Sequence, residues 1–219
     1  MHVTSQKHFT NKTEICGPVP ASPNNQSHLR KLDSGRPIFF EGDIAKNLYR
    51  VIEGVVCTYK LTINGHRQVL SFGYPGDIIG LNSDGQYHND CDAISDVVLQ
   101  PLVQQDDVEF TNSLLKYTTA EIANMQEHFL ILGRKSAVEK VASFLNILKN
   151  RIGEKNSCAI CFSLPMGRAD IADFLGLSIE TVSRCFTELR KKKIIYLPNP
   201  HQVCVGNCAA LQELAESND

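Results

Sequence analysis

The chain has 219 residues, 42% hydrophobic and 21% charged, which suits one large or two modest globular units. It holds no apolar run near the ~18–20 residues of a membrane span, and residues 1–26 lack the apolar core of a secretory signal, so no membrane partner and a cytoplasmic location are expected. The net charge of −2 excludes a uniformly basic nucleic-acid binder, yet 12 Lys/Arg stand against 9 Asp/Glu from Arg134 onward, while the preceding residues hold 10 against 15.

Residues 1–28 are polar, with Pro18, Pro20 and Pro23, and read as a loose arm whose one chemical feature is Cys16. Residues 29–111 read as an antiparallel β-roll. Strand-like runs at 37–40, 48–52, 55–61 and 67–72 are separated by turn signals such as Glu53-Gly54, Asn64-Gly65 and Pro75-Gly76-Asp77. Asn64-Gly65 marks a hairpin, because both residue types tolerate positive φ.

Residues 112–135 are expected to form a long helix. Ile122, Met125, Phe129 and Leu132 recur at seam-like spacing. Two readings stay open: a helix packed on its own roll, and a helix that also pairs with a second copy. Residues 136–219 then form a third unit. A helix over 137–151 buries Val138, Val141, Ala142, Leu145 and Leu148, and 158–164 reads as a strand. A hairpin links 194–196 to 202–205, and a helix over 209–215 closes the chain.

Between that strand and that hairpin lies the segment that carries the function. Ile171, Ala172 and Leu175 form the apolar side of a first short helix, and Gly176 supplies a left-handed turn. Ser178 is the N-cap of a second helix, whose expected buried side is Ile179, Val182, Phe186 and Leu189. The opposite side presents Glu180, Thr181, Ser183, Arg184 and Thr187. This is a helix-turn-helix, whose second helix lies in the major groove of double-stranded DNA. A carboxylate there accepts from cytosine N4, and an arginine donates twice to guanine. The blander reading of Glu180 and Arg184 is a surface i,i+4 ion pair. Arg168 and the run Arg190, Lys191, Lys192 and Lys193 are candidates for phosphate contact, which positions without specifying sequence. A merely solvated helix end is the competing reading for the lysines.

Gly-Leu-Ser-Ile-Glu-Thr-Val-Ser-Arg at 176–184 resembles the Crp/Fnr superfamily of bacterial regulators, and more closely its Fnr and FixK branch. Supporting segments are Phe-Glu-Gly-Asp at 40–43, Leu-Tyr-Arg-Val-Ile-Glu-Gly at 48–54 and Pro-Gly-Asp-Ile-Ile-Gly at 75–80. The resemblance covers residues 29 to the end. It implies an α+β chain: a cyclic-nucleotide-binding-like β-roll, a long dimerisation helix carrying Ile122, Met125, Phe129 and Leu132, and a C-terminal winged helix-turn-helix. It also implies a homodimer, RNA polymerase as partner, and base contacts from Glu180, Ser183 and Arg184 to TTGA-type half-sites in an inverted repeat. That branch mostly activates genes of low-oxygen respiration and nitrogen fixation.

Departures from the family narrow the effector. Gly80-Leu81-Asn82 lacks the glutamate of nucleotide-binding members, and no arginine occurs between Arg67 and Arg134 to partner a buried phosphate. An iron–sulfur cluster usually takes four thiolates, whereas the arm has Cys16 alone and the roll has Cys57 and Cys91. No cofactor and no metal are therefore expected. Haem is not decided by these residues, and His28, His66 and His88 read as surface histidines. The eight cysteines are scattered, and mostly reduced thiols are expected. Cys158 and Cys161, with Cys204 and Cys208, fit a zinc site poorly if 158–164 is a strand, because positions three apart face opposite ways. Cys185 follows Arg184 and is a candidate redox thiol. A ligand- or redox-gated regulator of the same fold is the main alternative. A metal-dependent barrel enzyme is the rival from another class, disfavoured because the barrel has no close His pair.

Overall fold

The computed structural model describes residues 29–102, 108–156 and 159–217. The N-terminal unit is a roll of two antiparallel four-stranded sheets. One has the order β1 (Arg30–Leu32), β8 (Val97–Leu102), β3 (Leu48–Glu53), β6 (Ile78–Ile79). The other runs β2 (Pro37–Phe39), β7 (Asp90–Ala93), β4 (Val56–Leu61), β5 (Arg67–Gly73). The four strand-like runs of the sequence correspond to β2, β3, β4 and β5. Inward-facing Tyr49, Val51, Val56, Leu99 and Ala93 form the core of the roll, together with Phe39 and Tyr87. Alternation sets which residues point inward: in β3, Tyr49 and Val51 are buried and Arg50 between them is not. The expected β4–β5 hairpin closes through Gly65, at φ +76°. At Gly54 the need for glycine is steric as well, since a Cβ would lie 2.1 Å from the Asp96 carbonyl oxygen.

Helix α1 spans Val108–Arg134 and begins four residues before the expected start. Phe110, Leu114 and Tyr117 pack against Ile78 and Leu102 of the roll. The Tyr117 hydroxyl accepts from the Ile78 N–H at 2.9 Å. Farther along the helix Ile122, Met125 and Phe129 are 52%, 51% and 67% exposed.

Helix α2 (Ala137–Ile152) is started by a capping box, Ser136 accepting from the Glu139 N–H and Glu139 accepting from the Ser136 N–H. These hydrogen bonds hold the exposed Glu139 carboxyl below its ordinary range. A four-stranded antiparallel sheet follows, in the order β11 (Ile195–Asn199), β12 (Gln202–Val205), β10 (Ala159–Ser163), β9 (Glu154–Asn156). With α3 (Arg168–Leu175), α4 (Ile179–Lys191) and α5 (Cys208–Glu216) it makes the winged helix-turn-helix, β11–β12 being the wing. Val141, Leu145, Ile171, Leu175, Val182, Leu189, Ile195, Val203, Val205 and Leu211 form its shared core.

The expectation of mostly reduced thiols meets one exception. Cys161 and Cys204 stand directly opposite each other across β10 and β12, with Cα atoms 4.0 Å apart, and form a disulfide. The pairing is set by strand register over 43 residues of separation, which spacing does not reveal. Cys57, Cys91, Cys185 and Cys208 are free, while Cys16 and Cys158 lie outside the described residues. Among the described residues no group of His, Cys, Asp or Glu has the arrangement of a metal site, and no helix is long and apolar enough to cross a membrane.

Candidate nucleic-acid interface

Helix α3 ends at Gly176, which is left-handed at φ +62° and whose N–H bonds the Ala172 carbonyl. A residue with a Cβ resists that conformation, so the glycine fixes the sharp reversal into α4. Ser178 then caps α4, its Oγ accepting from the Thr181 N–H at 3.2 Å. Both features stand where the sequence places them.

Helix α4 is strongly two-sided. Val182, Cys185, Phe186 and Leu189 are buried against α2 and α3, while Glu180, Ser183, Arg184 and Thr187 are exposed. Two expectations change here. Ile179 is 48% exposed, because the first turn of α4 extends past the edge of the core. Cys185 takes its place in the buried stripe, and desolvation there pushes its thiol up. The adjacent Arg184 opposes that shift without overcoming it. An exposed, thiolate-prone Cys185 is therefore not what the fold provides; i, i+3, i+4 geometry turns it inward, beside Val182 and Leu189.

The exposed row is preorganised by short-range bonds. Ser183 Oγ donates to the Ile179 carbonyl at 2.9 Å, leaving its lone pairs outward, and Thr187 Oγ1 donates to the Ser183 carbonyl at 2.9 Å. Arg184 Nε donates to the Glu180 carbonyl oxygen at 3.4 Å, which stands in place of the expected carboxylate pair. The Glu180 carboxyl is held below its ordinary range by a backbone hydrogen bond in the first turn and by Ser178. It is thus an ionised acceptor beside a cation, the pair of chemistries that reads C and G edges.

Among the candidate phosphate contacts, Arg190 and Lys191 are exposed at the end of α4, and Lys192 is paired with Glu188 at 2.7 Å. Lys193 is left-handed, at φ +56°, and turns the chain from α4 into the wing. Arg168 lies over the Phe186 ring at 3.5 Å and packs as a lid on α4.

Local sequence pattern carries no signal for the contacts that orient this unit on the roll. Arg67 of β5 bonds Asp170 of α3 at 2.6 Å across 103 residues. Gln68 Nε2 donates to the Asp173 carbonyl at 2.6 Å. Arg151 of α2 bonds the buried Asp77 of the Pro-Gly-Asp turn. Leu132, placed in the seam by its spacing, is only half-buried, and its Cδ2 is 3.9 Å from where a Cβ on Gly176 would sit.

Residues 164–195 match the family described as "Bacterial regulatory proteins, crp family", and residues 29–106 match the cyclic nucleotide-binding domain. The transcriptional activatory protein AadR of Rhodopseudomonas palustris is 40% identical over 195 residues, covering 84% of this chain and 81% of that protein. The chain belongs to the Crp/Fnr family of bacterial regulators. The nitrogen fixation regulation protein FixK of Bradyrhizobium diazoefficiens is 38% identical, over 81% of this chain and 79% of its own. The solved structure of FixK2 from Bradyrhizobium japonicum superposes with a TM-score of 0.79 at 32% identity, over 87% of this chain and 98% of that one. The chain is thus a DNA-binding transcription regulator of the FixK/Crp type, not an enzyme, built as β-roll, long helix and winged helix-turn-helix.

Two features of the roll bear on the groups its family suggests. Beside Gly80, Tyr87 stacks on Phe39 with centroids 3.9 Å apart, and a Cβ on Gly80 would be 2.9 Å from the Tyr87 ring. A nucleotide phosphate here meets filled apolar space with no arginine in the neighbouring sequence. For a cluster, the described residues of the roll offer the thiols of Cys57 and Cys91, two of the four such a cluster usually takes.

Proposed function

We propose that this regulator is a cytoplasmic transcription activator that binds a TTGA-type inverted repeat as a homodimer, without bound cyclic nucleotide or iron–sulfur cluster. The observation that carries the reading is the exposed row of Glu180, Ser183 and Arg184 on a helix whose other side is fully packed. Held in the major groove, Arg184 donates to guanine O6 and N7, and Glu180 accepts from cytosine N4 of the opposite strand. Thr181 and the Ser178 cap lie at the same helix start, where base edges come nearest. Arg190 and Lys191 hold the phosphate backbone and set register. Arg168, half-buried over Phe186, adds its positive charge beside α4.

The homodimer is supported by Ile122, Met125 and Phe129, which recur at seam spacing along α1 and are each half or more exposed. Two-fold pairing through that seam presents two α4 helices to successive major grooves, which is why the site is an inverted repeat. Activation is carried over from the transcriptional activatory protein AadR, and RNA polymerase is the partner that activation calls for.

Selection from a pool of random duplexes tests the reading. The expected enrichment is an inverted repeat of TTGA and TCAA, with half-sites centred about 10 base pairs apart. An unrelated or unpaired sequence, or no enrichment by folded protein, would overturn it.

A further inference from the structure

Where the roll, α1 and the DNA-binding unit meet, the chain leaves an open-mouthed cavity of about 80 Å³. Phe72 and Tyr74 come to it from the roll, Met125 from α1, Phe144 from α2 and Phe174 from α3. Phe72, Phe144 and Phe174 form a triangle of tilted rings, with centroids 6.1, 5.3 and 5.6 Å apart. His128 stacks on Phe174 at 4.0 Å and its Nε2 bonds the Phe174 carbonyl. Burial pushes the His128 imidazole down, so this wall is neutral at physiological pH.

Tyr74 brings a hydroxyl to this junction. The Tyr74 hydroxyl is buried and has no hydrogen-bond partner among the described residues. An orphaned buried hydroxyl is destabilising, and a ligand oxygen that accepts from it removes that cost. The charges fix the rest of the ligand's chemistry. Arg151, whose guanidinium lies 4.8 Å from the Tyr74 ring centroid, is already committed to Asp77. Glu121 lines the same cavity, so an anionic ligand meets a like charge.

We propose that this junction is a binding site for a small, uncharged aromatic molecule with one hydrogen-bond-accepting oxygen. Its ring fills the space beside Phe72, Phe144 and Phe174, and its oxygen accepts from Tyr74. The walls belong to three parts of the chain, so occupancy biases the placement of the helix-turn-helix relative to the roll. That last consequence rests on the DNA-binding reading; the site itself does not.

The chain has three methionines, and Met125 lines the cavity while Met166 is buried in the winged-helix core. Methyl-labelled methionine in the full-length protein, without DNA, is titrated with acetophenone, toluene and benzoate. Acetophenone is expected to shift the Met125 signal saturably while leaving Met166 in place. Toluene is expected to bind roughly fivefold or more weakly, the worth of one buried hydrogen bond, and benzoate more weakly than acetophenone because its charge meets Glu121. Tyr74→Phe keeps the ring and is expected to abolish the advantage of acetophenone over toluene. A Met125 signal that does not move, as it would not if a second copy filled the cavity, overturns the proposal. So does equal binding of toluene, or an acetophenone preference that survives in Tyr74→Phe. In a second arm, acetophenone at saturation is expected to change the affinity for the repeat severalfold, and an unchanged affinity overturns the effector role. Because the methyl titration contains no DNA, failure of the DNA-binding reading and failure of the ligand site give separate signatures.

Discussion

Helices α1 and α4 both carry a long apolar stripe, and the two stripes end differently. In α4 the stripe Val182, Cys185, Phe186 and Leu189 is buried inside the chain. In α1 the side bearing Phe110 and Tyr117 is buried, while Ile122, Met125 and Phe129 remain about half or more exposed. An apolar stripe thus specifies burial without naming the surface that supplies it. For α4 the surface is the chain's own α2 and α3; for α1 it is divided between the roll and, on the reading above, a second copy. Apolar truncations in the two helices should therefore fail in different ways.

The largest effect is expected at Leu189, which is completely buried. Leu189→Ala should lower folding stability by about 2–5 kcal/mol, read by chemical denaturation at any protein concentration. Next is Phe129→Ala, which should leave the subunit folded but weaken self-association. Loss of a central aromatic contact is worth roughly 2 kcal/mol or more, about 30-fold in Kd, and sedimentation across a dilution series would show it. If both variants lost stability independently of concentration, the contrast between the helices would be wrong. Smallest is Ser178→Ala, which removes the cap on the Thr181 N–H. It should cost about 1 kcal/mol by denaturation, with the dimer unchanged.

The same contrast explains what the sequence made legible. Everything that builds α4 is local: the left-handed Gly176, the cap at Ser178, and the recurrence of Val182, Phe186 and Leu189. Ile179 was misplaced because periodicity does not say where the core ends, and the first turn of α4 lies beyond its edge. Strand β7 gave no signal because Asp90 and Asp92 interrupt any apolar pattern. Asp90 is tolerated there because it accepts from the Glu41 N–H, 49 residues away. The Cys161–Cys204 pair, the Arg67–Asp170 bridge and the aromatic triangle all depend on register or domain placement over long separations. Local pattern contains none of that information, so the recognition helix was readable and its attachment to the roll was not.

The central claim is that Arg184 on α4 reads a TTGA-type repeat without a bound effector. The most direct measurement is a titration of reduced, metal-free protein on the TTGA/TCAA repeat and on a scrambled duplex at one fixed salt concentration, since phosphate contacts make affinity salt-dependent. Arg184→Ala is run alongside. The account predicts tight binding to the repeat alone, with the variant losing about 1–3 kcal/mol of discrimination per half-site while still binding DNA weakly through Arg190 and Lys191. Equal affinity of the folded wild type for both duplexes, or unchanged discrimination by Arg184→Ala, would contradict it.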